Sequence, residues 1–157
     1  MEREAPRLGG RVLIEALGAL SVVLSLAFVA LQIKQSTDQA RAEVAYDLQE
    51  SFNGFHDLVA GDAELGSIVA RARVGTDPAL TPAEHARAFS LAFRLFNTWV
   101  AVQVAYDNDL ISDAAFEGYQ ADVASAVSGL PGFRGYWLSM IEANPTLAGA
   151  AILAPLA

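Results

Sequence analysis

The sequence predicts an all-α protein, an N-terminal transmembrane helix that continues into a small helical bundle. Three observations predict it. The stretch from Val12 to Ile33, VLIEALGALSVVLSLAFVALQI, is an apolar run in which Glu15 is the one charged residue. Further on, apolar residues recur at helical spacing in segment after segment, and no stretch alternates apolar with polar as a half-buried strand does. No proline occurs between Pro6 and Pro78, so nothing in that interval forces a helix to stop.

Residues 1–11 carry Pro6 and the pair Gly9-Gly10 among charged side chains and read as a flexible leader. The run at 12–33 reads as the transmembrane helix. At 1.5 Å of rise per residue it is about 33 Å long, close to the roughly 30 Å hydrocarbon thickness of a bilayer. Ser21 and Ser25 can return their hydroxyls to carbonyls of their own helix. Glu15 lies one turn inside the edge, where it reaches headgroups, pairs with Arg11 one turn earlier, or meets another membrane subunit. Two other accounts of the run fit less well: a buried soluble helix is usually shorter and amphipathic, and the h-region of a signal peptide is only about 7–15 residues.

Residues 34–144 read as the bundle. The polar stretch after Ile33 contains no proline or glycine until Gly54, so the helix is expected to leave the membrane unbroken, with Val44, Leu48, Phe52, Phe55 and Val59 forming one buried stripe as far as about Ala60. Gly61-Asp62 breaks it, and Asp62 caps a short helix that turns Leu65, Ile68 and Val69 inward and ends near Gly75. Thr81-Pro82-Ala83-Glu84 is a capping box with proline at the first helical position, and it opens a long helix to about Tyr106. Phe89, Phe93, Phe96 and Val100 lie on one side of that helix and Leu91, Leu95, Trp99 and Val102 on the other, which predicts a central helix covered by its neighbours. Ser112 or Asp113 caps the next helix, closed by Leu130-Pro131-Gly132. Phe133, Trp137 and Ile141 mark a fifth, stopped near Asn144-Pro145. The uncharged tail at 145–157 forms a last turn packed on the bundle or docks on a partner or lipid surface; in the second case Leu147, Ile152 and Leu153 are its contacts, with Glu15 as the contact inside the membrane.

Charge restricts the partners. From residue 35 onward there are 15 acidic and six basic residues, which argues against nucleic acid as a partner and against an anionic lipid surface lying on this part of the chain. Three arginines precede the span while Lys34 and Arg41 follow it, so the amino terminus is expected in the cytoplasm and the acidic domain on the extracytoplasmic, periplasmic side. With no cysteine there is no disulfide, thiolate metal site or thiol nucleophile.

Candidate chemistry is sparse. His56 and His85 lie on different helices with no partner at ligand spacing. The acidic turn Asp107, Asp109, Asp113 and Glu117 begins like a calcium loop, but Ser112 stands where its glycine belongs and Gly118 where its glutamate belongs. Arg87 and Arg94, two turns apart, are expected to pair with acids of a neighbouring helix, or else to hold an anionic ligand. No catalytic residue, cofactor site or metal site is assigned, and an enzyme is not expected.

The stretch ALGALSVVLSLAFVALQIKQSTDQARA, where the span leads directly into Gln-Ile-Lys-Gln-Ser-Thr, resembles the start of a family of small uncharacterised bacterial single-pass membrane proteins. The segment from Phe93 to Tyr119 is similar to the middle of the same group, although Asp107-Asn108 stands where basic residues occur there. The resemblance implies an N-terminal span before a helical domain and no activity. The expectation is an accessory or scaffolding subunit of a larger membrane complex, such as a respiratory or photosynthetic one, with the lipid bilayer and other membrane protein subunits as partners. The alternative is a membrane-anchored sensor whose bundle holds a small ligand in a cavity lined by Arg87 or Arg94.

Overall fold

The structure is a computed structural model that describes residues 9–75 and 79–156, and the backbone alone of Arg11. It is all-α, with no strand among the described residues. The described residues form five α-helices, α1 (Gly9–Gly61), α2 (Ala63–Val74), α3 (Pro82–Asp107), α4 (Asp113–Gly129) and α5 (Arg134–Ala143); a 3-10 turn at Pro131–Phe133 joins α4 to α5, and two more, Pro145–Leu147 and Ala151–Leu156, follow α5. The chain divides into two units, Met1–Ala40 and Arg41–Ala157. Most of the expected leader, residues 1–8, lies outside the described residues; Gly9 and Gly10 already belong to α1.

In the first unit every described side chain from Val12 to Gln39 is exposed. The apolar run therefore has no protein cover: Leu13, Val23, Leu26 and Ile33 each leave more than half of their surface open. Its two serine hydroxyls return to the helix itself, Ser21 Oγ donating to the Leu17 carbonyl and Ser25 Oγ to that of Ser21, both at 2.8 Å. Those bonds remove two hydroxyl donors that hydrocarbon could not satisfy.

The second unit is held by its caps and its core. Asp62 accepts from the amides of Glu64 and Leu65 at the start of α2, and Ser112 accepts from that of Ala115 at the start of α4. At α3 both halves of the capping box form, since Thr81 Oγ1 accepts from the Glu84 amide and the Glu84 carboxylate accepts from the Thr81 amide at 2.7 Å. Asp109 takes φ 57° to reverse the chain after α3, and Arg41 Nε donates to its carbonyl at 3.1 Å. Gly132 lies against α2, where a Cβ would come within 2.7 Å of the Ala72 Cα, so only glycine lets the two backbones meet.

Trp99 and Trp137 form the centre of the core, with ring centroids 4.9 Å apart, and the Trp137 indole donates to the Ala92 carbonyl at 3.0 Å. That bond gives a buried indole the partner it needs. The turn at Ala151–Leu156 closes one end of the unit: Ile152, Leu153 and Leu156 are buried, and the turn is bound by the Gln103 carbonyl oxygen to the Ile152 amide and by Gln120 and Arg134 to the carbonyls of Ala151 and Leu156. The tail is thus part of the core rather than a separate segment.

One expectation fails on α3. Leu91, Leu95, Phe96, Trp99 and Val102 are buried, but Phe89 and Phe93 are 44% and 46% exposed, so the helix is not covered all round. Its neighbours are too short: α2 and α5 have 12 and 10 residues against the 26 of α3.

Candidate functional site

The four residues expected as partner contacts separate. Glu15 is exposed on α1, and the Arg11 side chain expected beside it lies outside the described residues. Leu147 is half-buried at the rim of a surface hollow of about 430 Å³ that it shares with Val100 and Val104. Ile152 and Leu153 are corrected: they are 0% and 3% exposed, turned into the bundle, and present nothing to a partner. The reason is that Gln103 and Gln120, from α3 and α4, bond the backbone at 151 and 152 and fix the turn with its apolar side chains inward.

The titratable candidates are also dispersed. His85 Nδ1 shares a 2.6 Å hydrogen bond with the hydroxyl of Tyr136, whose pKa is raised by burial. Within the acidic turn, Asp113 accepts from the Tyr106 hydroxyl at 3.1 Å, which raises the phenol's pKa, and Asp107 accepts from Gln103 at 2.8 Å. Among the described residues no group of three or more His, Asp or Glu is placed to hold a metal ion. Arg87 reaches Glu64 at 2.9 Å and Asp62 at 3.5 Å, the neighbour-helix pairing its spacing suggested. Arg94 has no such acid; its guanidinium lies across the backbone of Gly54, where a Cβ would collide with it.

Between α3 and its neighbours the core is not filled solid. A shallow hollow of about 500 Å³ is lined by Arg87, Ser90 and Arg94 together with Leu58 and Leu65, so both arginines do border a cavity, although Arg87 is held by its two acids. A deeper cavity of about 510 Å³ lies on the other side of α1, between residues 52–59, α2, α3 and α4. Phe55, Val69, Leu95 and Trp99 form its floor, and Arg73, His56 and Asp122 stand around its opening. Phe52 stacks on Tyr119 of α4, with centroids 5.6 Å apart and rings within 9° of parallel, and so fixes one wall.

That second cavity was not anticipated. Its polar residues come from three helices and no local motif joins them. The signal available was on α4, where Asp122, Ser125, Ala126 and Gly129 fall at i, i+3, i+4 and i+7: a face of short side chains opposite phenylalanines leaves space unfilled.

Compared with known proteins, the chain matches no protein family, no curated protein and no solved structure.

Proposed function

We propose that this protein is a single-pass membrane protein whose helical bundle works by contact, as an accessory or scaffolding subunit of a larger membrane complex. The observation that carries this reading is the uncovered run from Val12 to Ile33: it is apolar on every side, long enough to cross a bilayer, and none of it is packed against protein. In water such a surface would drive aggregation, whereas in lipid it needs no cover. Helix α3 also satisfies the length and composition of a span, but half of its most apolar window is buried, which supports a core helix and a single crossing.

The bundle supplies the contact surface in this reading. Phe89 and Phe93, stacked with centroids 6.0 Å apart, leave an aromatic strip exposed along α3, and exposed Val104 continues it on the same face. Aromatic side chains that lie open on a folded surface are the usual anchors of protein interfaces. The excess of basic residues before the span supports an extracytoplasmic side for the acidic bundle.

The test is fractionation followed by capture. The full chain should stay in the membrane pellet after alkaline carbonate washing, and extraction in mild detergent at native expression levels should bring defined membrane subunits with it. Phe89→Ser with Phe93→Ser should release those subunits without releasing the protein from the membrane. Because the chain has no cysteine, Gln49→Cys gives a single labelling site, which an impermeant maleimide should reach in intact spheroplasts. A chain that stays in the supernatant after high-speed centrifugation, or a monodisperse monomer with no companion, overturns the reading.

A further inference from the structure

We propose that the 510 Å³ cavity between residues 52–59, α2, α3 and α4 is a binding site for a single-chain carboxylate, its apolar tail on the aromatic floor and its head on the guanidinium of Arg73. The site stands apart from membrane anchoring and from the Phe89–Phe93 strip, neither of which borders it.

The floor sets the first half of the ligand. Phe55, Val69, Leu95 and Trp99 are each less than a tenth exposed and form an apolar floor, and the cavity's volume lies in the range of small-molecule sites. Water against that floor makes few hydrogen bonds, and a hydrocarbon tail displaces it favourably.

The opening sets the second half. Six arginines lie beyond residue 40, in a part of the chain where acids outnumber bases. Four of them are engaged: Arg71 with Glu84, Arg87 with Asp62 and Glu64, and Arg41 and Arg134 with backbone carbonyls. Arg73 has no hydrogen bond or ion pair among the described residues, although Asp122 lines the same cavity. Its position in the last turn of α2 sets its charge against the helix dipole but leaves its five donors unused. A guanidinium donates two parallel bonds to a carboxylate, so the head group matches the unused donors. Asp122 on the same rim opposes a dianion such as a phosphate monoester and leaves the monoanion as the better fit.

Octanoate, octan-1-ol and octylammonium are the probes, titrated against the full chain in lipid nanodiscs. Binding is read by saturation-transfer NMR with irradiation of the protein's aromatic protons, which lipid lacks. The expected result is saturable octanoate binding, at least about tenfold tighter than octan-1-ol, with that advantage lost in Arg73→Gln. Ala126→Trp, which fills the cavity from α4, should abolish the signal for octanoate, and circular dichroism should report both variants folded. Equal binding of octanoate and octan-1-ol, preference for octylammonium, octanoate binding that survives Ala126→Trp, or no saturable signal with any probe overturns the proposal. None of these outcomes bears on whether the chain stays in the membrane pellet.

Discussion

Among the described residues two helices are long and apolar enough to cross a membrane, and they meet opposite surroundings. The most apolar window of α1 has none of its residues buried, whereas half of the corresponding window of α3 is packed inside the second unit. What separates them is the polar residue pattern. The α1 run has no charge from Ala16 to Ile33, so no side of it favours water; α3 carries Arg87, Ser90, Arg94 and Asn97 along one stripe, which stays solvated while Leu91, Leu95, Phe96, Trp99 and Val102 are buried in the core. Length and greasiness alone do not choose between lipid and protein as the surrounding medium. The width of the polar stripe does, and α3 also starts at a complete capping box.

Substitutions that act on one unit and spare the other sharpen this contrast. The largest effect is expected from Trp137→Ala, which removes a fully buried indole and its bond to Ala92; it should cost about 3–5 kcal/mol and lower the thermal midpoint of the bundle by more than about 10 °C, with no change in the membrane-bound fraction. Leu24→Arg should do the reverse. An arginine at the centre of a span carries a penalty of about 2.5–3.5 kcal/mol, so the carbonate-resistant fraction should fall while the thermal midpoint stays within a degree or two of the parent value. If Leu24→Arg lowered the midpoint as much as Trp137→Ala does, the apolar run would be part of the folded core after all.

Gly132→Ala is expected to be intermediate. The new methyl group meets the Ala72 Cα and the Gly75 carbonyl at 2.7 and 2.9 Å, so α2 must shift, at about 1–3 kcal/mol, measured by chemical denaturation. The smallest effect is a pH dependence. Hydrogen bonds from Arg71 first, then from the Thr81 amide and hydroxyl, hold Glu84 down to a pKa of about 2, below the ordinary value of 4.5. A lowered carboxylate pKa stabilises the fold fully above its ordinary value, and the contribution is lost as pH falls toward the folded value. Wild type should therefore melt slightly above Glu84→Gln at pH 7, and the gap should close as the pH falls from 4.5 toward 2, since a surface pair of this kind contributes little even when intact.

Much of this architecture is legible in the residues. Thr81-Pro82-Ala83-Glu84, Asp62 and Ser112 fix three helix starts because capping is a local event, decided within four residues. The stripe of Leu48 and Phe55 on α1 is legible for the same kind of reason, since periodicity along one helix is a property of that helix alone. What could not be read depends on how many neighbours there are and how long they are. Phe89 and Phe93 match core positions in spacing, yet they lie open because no helix is left to cover them. Ile152 and Leu153 look like the tip of a sticky tail, yet they are buried because Gln103 and Gln120, about 50 and 30 residues earlier, bond the backbone of their turn. The cavity beside Trp99 escaped for the same reason: its volume is a difference between side chains of four helices.

The placement of the two indoles has a practical consequence. Both tryptophans, and all four tyrosines, lie at residue 46 or beyond, and the first unit has no ultraviolet chromophore stronger than Phe28. Intrinsic emission from the intact polypeptide is therefore a signal from the second unit alone. With the two indole rings in contact, that emission should change sharply when the core opens, so melting of the second unit can be followed optically in the full chain, in detergent or in lipid.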